Sequence, residues 1–370
     1  MDTVRYGIVG TGYFGAEMGR SLAARPGSLV AAVHDPENVS PVAVELGARV
    51  AGTVEELCNA GDVDVVVVAS PNWAHLEPVL LAAQSGKHVF CEKPIALTYA
   101  DCAAMVEATA AAGVLFMAGH VTHFMAGVRR TKQLINEGVI GDVIFCRAVR
   151  TGWEEPKESV SWKKRRELSG GHLYHHIHEL DLVQAIMGPA TVATMVGGNV
   201  AHQGTAFGDE DDMLVITLEF GENRFAAMEY GSAFRWPEHH ILIQGTLGAI
   251  RIDMRDVSCE LRTADRSEKF LLHRSQAEDE ERRGIQRDRG SDGPIIYGSP
   301  QDRPPLWLRG IIDEELDYFQ GLLQGKEPLA EFKALTDGSA ATAAIATADA
   351  LTLSLRESRK VRVAEITSGP

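Results

Sequence analysis

The chain has 370 residues, 45% of them hydrophobic, which is enough apolar material for two cores of ordinary domain size. Acidic residues outnumber basic ones 51 to 36, a formal charge of -15, so the summed field repels phosphate backbones and anionic lipid, and neither nucleic acid nor a membrane is an expected partner. Five cysteines (58, 91, 102, 146, 259) form no C-x-x-C pair and no zinc spacing, no basic and apolar leader opens the sequence, and no apolar run reaches roughly 18 residues. The expectation is a cytoplasmic protein with unpaired thiols.

Up to about residue 120, short apolar runs alternate with helical patterns. The runs are Val4 to Val9, Leu29 to Val33, Val63 to Ala69, His88 to Cys91 and Val114 to Ala118. Several are apolar at nearly every position, as in strands covered on both faces of a parallel sheet. Thr98 and Asp101 make a capping pair for a helix over Tyr99 to Ala112, with Gly113 as its stop. This βα repetition predicts a doubly wound Rossmann domain over 1–122.

A helix over Met125 to Glu137 follows, and the pattern then changes. Val143 to Arg150, Asp212 to Phe220, Arg224 to Tyr230, His240 to Gln244 and Ala249 to Met254 read as strands, often alternating and separated by turns such as Gly221-Glu222-Asn223. The second domain, 123–370, is therefore expected to be α+β, with an open-faced, mostly antiparallel sheet and a helical segment near 172–187. Residues 262–305 are polar and rich in Gly and Pro and read as a long loop or arm. Helical periodicity returns from Trp307 to Arg356, whose alanine-rich end suits a helix packed closely, one that returns to the first domain.

The segment "GIVGTGYFG" places Gly10, Gly12 and Gly15 at G-x-G-x-x-G spacing, with Tyr13 and Phe14 between the last two. Alone, that spacing is a weak signal. Here an apolar strand precedes it, a helix follows, and Asp35 ends the next strand, twenty positions beyond Gly15. Gly10 permits the tight turn, Gly12 lets backbone approach a pyrophosphate, and Gly15 lets the helix pack on the strand. The helix N-terminus offers unpaired N–H groups to phosphate. Asp35 can accept from both ribose hydroxyls and its charge repels a 2′-phosphate, which favours NAD over NADP.

The fourth strand runs into "SPNWAH" (70–75) and the fifth into Cys91-Glu92-Lys93-Pro94, at strand ends where ligands of open α/β sheets bind. Read from the residues alone, Lys93 is either a lysine of lowered pKa that exchanges a proton with a substrate hydroxyl or a surface lysine in a turn set by Pro94.

Together with "SGGHLYHHIHELD" and the joining segment "AGHVTHFMAGVRRTKQLINEGVIGDV", these residues resemble the Gfo/Idh/MocA oxidoreductases over nearly the whole chain. The resemblance implies proton transfer by Lys93, a cis Lys93-Pro94 bond, a cofactor site lined by Ser70, Asn72, His75 and Glu92, and a second domain whose sheet mediates homodimers or homotetramers. It places His120, Trp162, Lys163, Tyr174 and Asp181 among the substrate-binding residues. The histidine segment departs from the family pattern by one residue. Counting back from Asp181 makes His178 the catalytic histidine; counting forward from Gly170 and Gly171 puts His175 at the pattern's aspartate and Glu179 at its histidine.

In a continuous helix Tyr174, His178 and Asp181 share one face and His172, His175 and Glu179 nearly the opposite one. His178 is favoured because Asp181 can orient it, with His175 in reserve. A metal on His172, His175 and Glu179 is the rival reading, but the spacing is not H-E-x-x-H and nicotinamide chemistry with a lysine needs no zinc, so no metal is expected. The leading expectation is an NAD-dependent dehydrogenase of a sugar, glycoside or cyclitol. The alternatives are an internal NAD redox cycle giving net glycoside cleavage or epimerisation, and a non-catalytic dinucleotide sensor.

Overall fold

The computed structural model describes residues 3–37, 39–156, 158–204, 206–221, 223–289 and 298–368, and the chain divides into two compact units. The first comprises 1–121 and 295–342, the second 122–294 and 343–370. The chain thus returns to the first unit over 295–342 before ending in the second.

The first unit is built on β1 (Val4–Val9), α1 (Tyr13–Ala23), β2 (Ser28–His34), α2 (Val39–Leu46), β3 (Arg49–Val50), α3 (Val54–Asn59), β4 (Val65–Val68), α4 (Leu76–Gln84), β5 (His88–Glu92), α5 (Tyr99–Ala111) and β6 (Phe116–Gly119). The strands form a parallel sheet in the order β3-β2-β1-β4-β5-β6, reversing direction of progress between β1 and β4. β4 is four valines, all fully buried, and its unbroken apolarity reflects cover on both faces. Thr98 caps α5, accepting from the Asp101 N–H at 3.1 Å while its hydroxyl donates to the Asp101 carboxylate at 2.8 Å.

In the second unit, α6 (Ala126–Asn136) leads to β7 (Val143–Trp153), α7 (Arg166–Ser169), α8 (His172–His175), α9 (His178–Met187), β8 (Val192–Gly198), β9 (Met213–Glu219), β10 (Phe225–Gly231), β11 (Ala233–Gly245), β12 (Gly248–Asp253), β13 (Ser258–Thr263), β14 (Ser267–Phe270) and α10 (Gln276–Arg289). The chain then adds α11 (Leu306–Leu323) and α12 (Lys333–Thr336) to the first unit, and ends in α13 (Ser339–Glu357), β15 (Val361–Arg362) and α14 (Ala364–Thr367). Nine strands order as β14-β13-β12-β11-β7-β10-β9-β8-β15, antiparallel at every neighbour except β7 with β10. α9 and α13 lie together, joined by the Thr347 hydroxyl donating to Gln184 at 2.9 Å.

Two expectations are corrected. The helix near 172–187 is broken, because His176 leaves helical backbone (φ -109°, ψ 41°) and Ile177 turns fully into the core. The phase argument across that segment therefore does not hold. The supposed loop over 262–305 carries β14 and the 14-residue α10; residues 290–297 lie outside the described ones. α10 escapes a hydrophobicity reading because its buried positions are polar: Asp279 accepts from His273 at 2.7 Å, and Arg282 meets the other ring nitrogen of His273 at 3.2 Å.

α11 is anchored to the first sheet through Phe319, whose ring meets Phe90 of β5 edge-on at 5.6 Å. Both rings are fully buried. Phe319→Ala is expected to lower stability by about 3–5 kcal/mol, the usual cost of truncating a buried phenylalanine. A lower urea midpoint checks this, and an unchanged one would detach α11 from the core of the unit.

Candidate active site

The glycine turn has the geometry its spacing calls for. Gly10 sits at φ 91°, and a Cβ there would lie 2.4 Å from the Ser70 nitrogen; a Cβ on Gly15 would lie 1.9 Å from the Gly10 carbonyl oxygen. Gly12, by contrast, faces open space and precedes α1 with no side chain capping the helix. Its N-terminal N–H groups are thus presented outward. Tyr13 and Phe14 open the helix with their rings edge to face, 5.4 Å apart. The Asp35 carboxylate accepts from the Thr11 N–H at 2.7 Å and from the Glu37 N–H at 2.8 Å, one bond to each oxygen. Thr11 is fully buried and its hydroxyl meets no partner among the described residues. An open N-terminal turn, an orphaned hydroxyl beside it and a fixed acceptor at the next strand end suit a dinucleotide.

The ends of β4 and β5 are tied together by His75. Its Nε2 lies 2.8 Å from the Ser70 carbonyl and its Nδ1 2.9 Å from the Pro94 carbonyl. Burial pushes its pKa down, against those carbonyls and with the help of Lys93. Asn72 is buried at the start of a short 3-10 turn, and the Ser70 hydroxyl donates to the Ala74 carbonyl at 3.1 Å. The Lys93-Pro94 bond is cis. Glu92 accepts from the Lys93 N–H at 3.1 Å, and burial raises its carboxyl to about 7 in spite of Lys93. His120 is buried directly after β6.

The second unit carries the other candidates. His175 and His178 are half-buried, whereas His172 is buried and held at about 3 by that burial, hence neutral. The His176 ring packs between His172 (4.5 Å) and His175 (4.6 Å). Asp181 is engaged by His123, Nε2 to Oδ2 at 2.6 Å, and the Lys132 ammonium lies 2.7 Å from His123 Nδ1. Lysine can only donate, so the imidazole proton faces Asp181. Tyr174 is buried with its hydroxyl bonded to Asp349 of α13. Trp162 and Lys163 share a 3-10 turn, the ammonium 5.7 Å from the indole centroid.

Sequence reading missed a polar row beneath this segment. The registers of β10, β7 and β11 set Tyr230, Arg150 and His239 side by side. Glu179 of α9 descends onto them, with Arg150 at 3.1 Å and His239 at 2.8 Å. Burial opposes its charge, yet Arg150 and His239 hold its carboxyl well below the usual range, while burial brings His239 to about 4. Glu179, considered above as a metal ligand, is thus a buried ion-pair partner. Among the described residues no three His, Cys, Asp or Glu side chains gather as a metal site.

Both parts of the chain match known proteins. The family model described as "Oxidoreductase family, NAD-binding Rossmann fold" matches residues 4–120, and "Oxidoreductase family, C-terminal alpha/beta domain" matches 132–363. The chain belongs to the Gfo/Idh/MocA family. Like the family, it is an oxidoreductase that uses NAD. It is 55% identical over 368 residues to the 2,7-anhydro-N-acetylneuraminate hydratase of Mediterraneibacter gnavus, covering 99% of this chain and 98% of the relative. With the Escherichia coli protein of that name it shares 49% over 365 residues, 98% of each. A levoglucosan dehydrogenase solved with NADH and levoglucosan matches at TM-score 0.78 and 20% identity over 98% of this chain and 99% of that one, a likeness of fold.

The fixed Asp35 acceptor gives a cofactor prediction. Asp35→Ala removes a charged acceptor and the partner of the Thr11 N–H, so NAD affinity is expected to fall about tenfold or more. NADP, freed of the repulsion, should bind no worse than before. Titration of each cofactor checks this; an unchanged NAD-to-NADP ratio would remove Asp35 from cofactor selection.

Proposed function

We propose that the protein adds water to 2,7-anhydro-N-acetylneuraminate, or to an anhydro sialic acid of the same class, through a redox cycle that closes within each turnover. The observation that carries this reading is 55% and 49% identity, along nearly the whole of both chains, to two hydratases of that substrate. It favours the internal cycle over net dehydrogenation, the leading expectation from sequence. Hydration leaves the oxidation level of the sugar unchanged, so an enzyme of this kind that uses NAD has to return the hydride it removes.

NAD supplies a hydride acceptor at nicotinamide C4 and gives the hydride back. A ketone formed two carbons from the bridged carbon acidifies the C–H between them. Loss of that proton expels the bridging oxygen, water adds to the conjugated ketone, and hydride return restores the hydroxyl. Atoms balance as substrate plus one water, and each proton taken by the protein is given back.

In this scheme Gly10, Gly12 and Gly15 with the α1 N-terminus hold the pyrophosphate, Asp35 the ribose, and Ser70, Asn72, His75 and Glu92 the nicotinamide half. Lys93 and a histidine exchange protons with the sugar, one at the hydroxyl and one at the acidified C–H. His178 is favoured and His175 is the second candidate; both are half-buried. His120, Trp162, Lys163, Tyr174 and Asp181 are assigned to substrate binding or its support. Tyr174 and Asp181 act there through Asp349 and His123, the partners they hold.

We assign the protein to the cytoplasm because its five cysteines are buried and none of them is in a disulfide. No helix among the described residues is long and apolar enough to cross a membrane. We also propose a homodimer or homotetramer formed through the outer face of the second sheet, where Val196, Val215 and Phe225 are exposed. Val215→Asp is then expected to lower the mass seen by light scattering; an unchanged assembly would place the interface elsewhere.

The deciding experiment incubates protein and catalytic NAD with 2,7-anhydro-N-acetylneuraminate, measuring free N-acetylneuraminate and NADH absorbance together. Product should exceed cofactor many-fold with no accumulated NADH, and Lys93→Met should slow it roughly 10²- to 10⁴-fold, the span of general acid–base effects. NADH rising in step with an oxidised sugar would restore the simple dehydrogenase.

A further inference from the structure

Glu315 lies on the apolar face of α11, among Ile311, Ile312, Leu316 and Phe319, and is fully buried. Among the described residues no hydrogen-bond donor meets either of its carboxyl oxygens. An ionised carboxylate in such surroundings loses its hydration and gains nothing in return, so the group keeps its proton. A buried carboxylic acid is itself a donor and needs an acceptor.

The geometry supplies one. Phe319 of α11 meets Phe90 of β5 at 5.6 Å. One helical turn before Phe319 is Glu315, and two residues after Phe90, on the same side of the strand, is Glu92. Both carboxyl groups thus stand on the faces of helix and strand that carry the touching rings. Glu92 is the ionisable group whose charge acts on Glu315, and burial with that charge raises Glu315 well above the ordinary carboxyl range. Around Glu92 the ionisable neighbours are Lys93, Glu315 and the Cys91 thiol, with Cys102 beside Cys91.

We propose that Glu315 is a permanently protonated acid that donates its hydroxyl proton to the Glu92 carboxylate and thereby holds that carboxylate, ionised, against Lys93. Glu315 is then a positioning residue for Lys93. Its donor bond favours the charged form of Glu92, and an ionised Glu92 favours the ammonium form of Lys93. Removing the donor lets Glu92 retain its proton, takes a counter-charge from Lys93 and lowers the lysine pKa. The role attached to Lys93 rests on the proposed function; the carboxyl pair does not.

Both parts can be read without substrate. Infrared spectroscopy of the intact protein in heavy water should show a protonated carboxyl band that persists above pH 8 and is lost in Glu315→Gln; absence of the band in the wild-type protein would overturn the proposal. The rate of Lys93 acylation against pH, followed on its peptide by mass spectrometry, should give a lysine pKa about one unit lower in Glu315→Leu. Glu315→Gln, which keeps a neutral donor, should restore it. A Glu315→Leu profile equal to wild type, or a Glu315→Gln profile equal to Glu315→Leu, would overturn the positioning role. Failure to turn over the anhydro sugar would overturn the proposed function and leave these readouts standing.

Discussion

A carboxylate withdrawn from water has to be met by donors or keep its proton, and both units are organised by that requirement. In the first, Glu17 of α1 is almost fully buried and is gripped by the Arg303 fork at 2.5 and 2.6 Å, which fastens the segment before α11 to the helix that opens the nucleotide turn. Asp35 takes two backbone N–H groups and so becomes a stationary acceptor. In the second, Asp212 takes the N–H groups of Val200, Ala201 and His202 and ties down the turn between β8 and β9. Glu179 joins α9 to two strands, and Asp279 joins α10 to the residues just before it. Glu315 differs in that no donor among the described residues meets it.

That difference separates fold from chemistry. Groups paired with arginine are pinned in one charge state, which makes them dependable supports and poor proton carriers. A carboxyl that burial raises to about 7, Glu92 at the end of β5, titrates near neutral pH. His75 braces the loop that carries Lys93 through the Pro94 carbonyl, and the chain Lys132, His123, Asp181 fixes the first turns of α9.

Legibility of the sequence followed the same division. The parallel strands were readable because cover on both faces demands continuous apolar runs, as in Val65 to Val68, and the glycine turn because its backbone tolerates no Cβ at Gly10 or Gly15. Strands β13 and β14 and helix α10 were not. Their buried or half-buried positions include Glu268, Asp279 and Arg282, the last two paired with His273 just before the helix, so polar residues hide the period. The break at His176 was invisible because nothing in "HLYHHIHELD" forbids a continuous helix; the pull of Ile177 into the core decides it. Glu315 did leave a trace, a lone acid where the 3.6-residue period of α11 calls for an apolar residue.

The proposed redox cycle would make a further demand on this arrangement. A dehydrogenase must release its reduced cofactor in every turnover, whereas an enzyme that takes back its hydride works best when cofactor and protons stay in place until the sugar is rebuilt. Rigid acceptors serve that end, because preorganised groups lose little entropy on binding. The Asp35 carboxylate is immobilised by two backbone donors before any ribose arrives, and the glycine turn is locked by the close approach of Gly10 to Ser70 and of Gly15 to Gly10. Protons follow the same logic. In the proposed scheme a base whose counter-ion is held by a buried acid takes a proton from the sugar and gives one back within the same turnover.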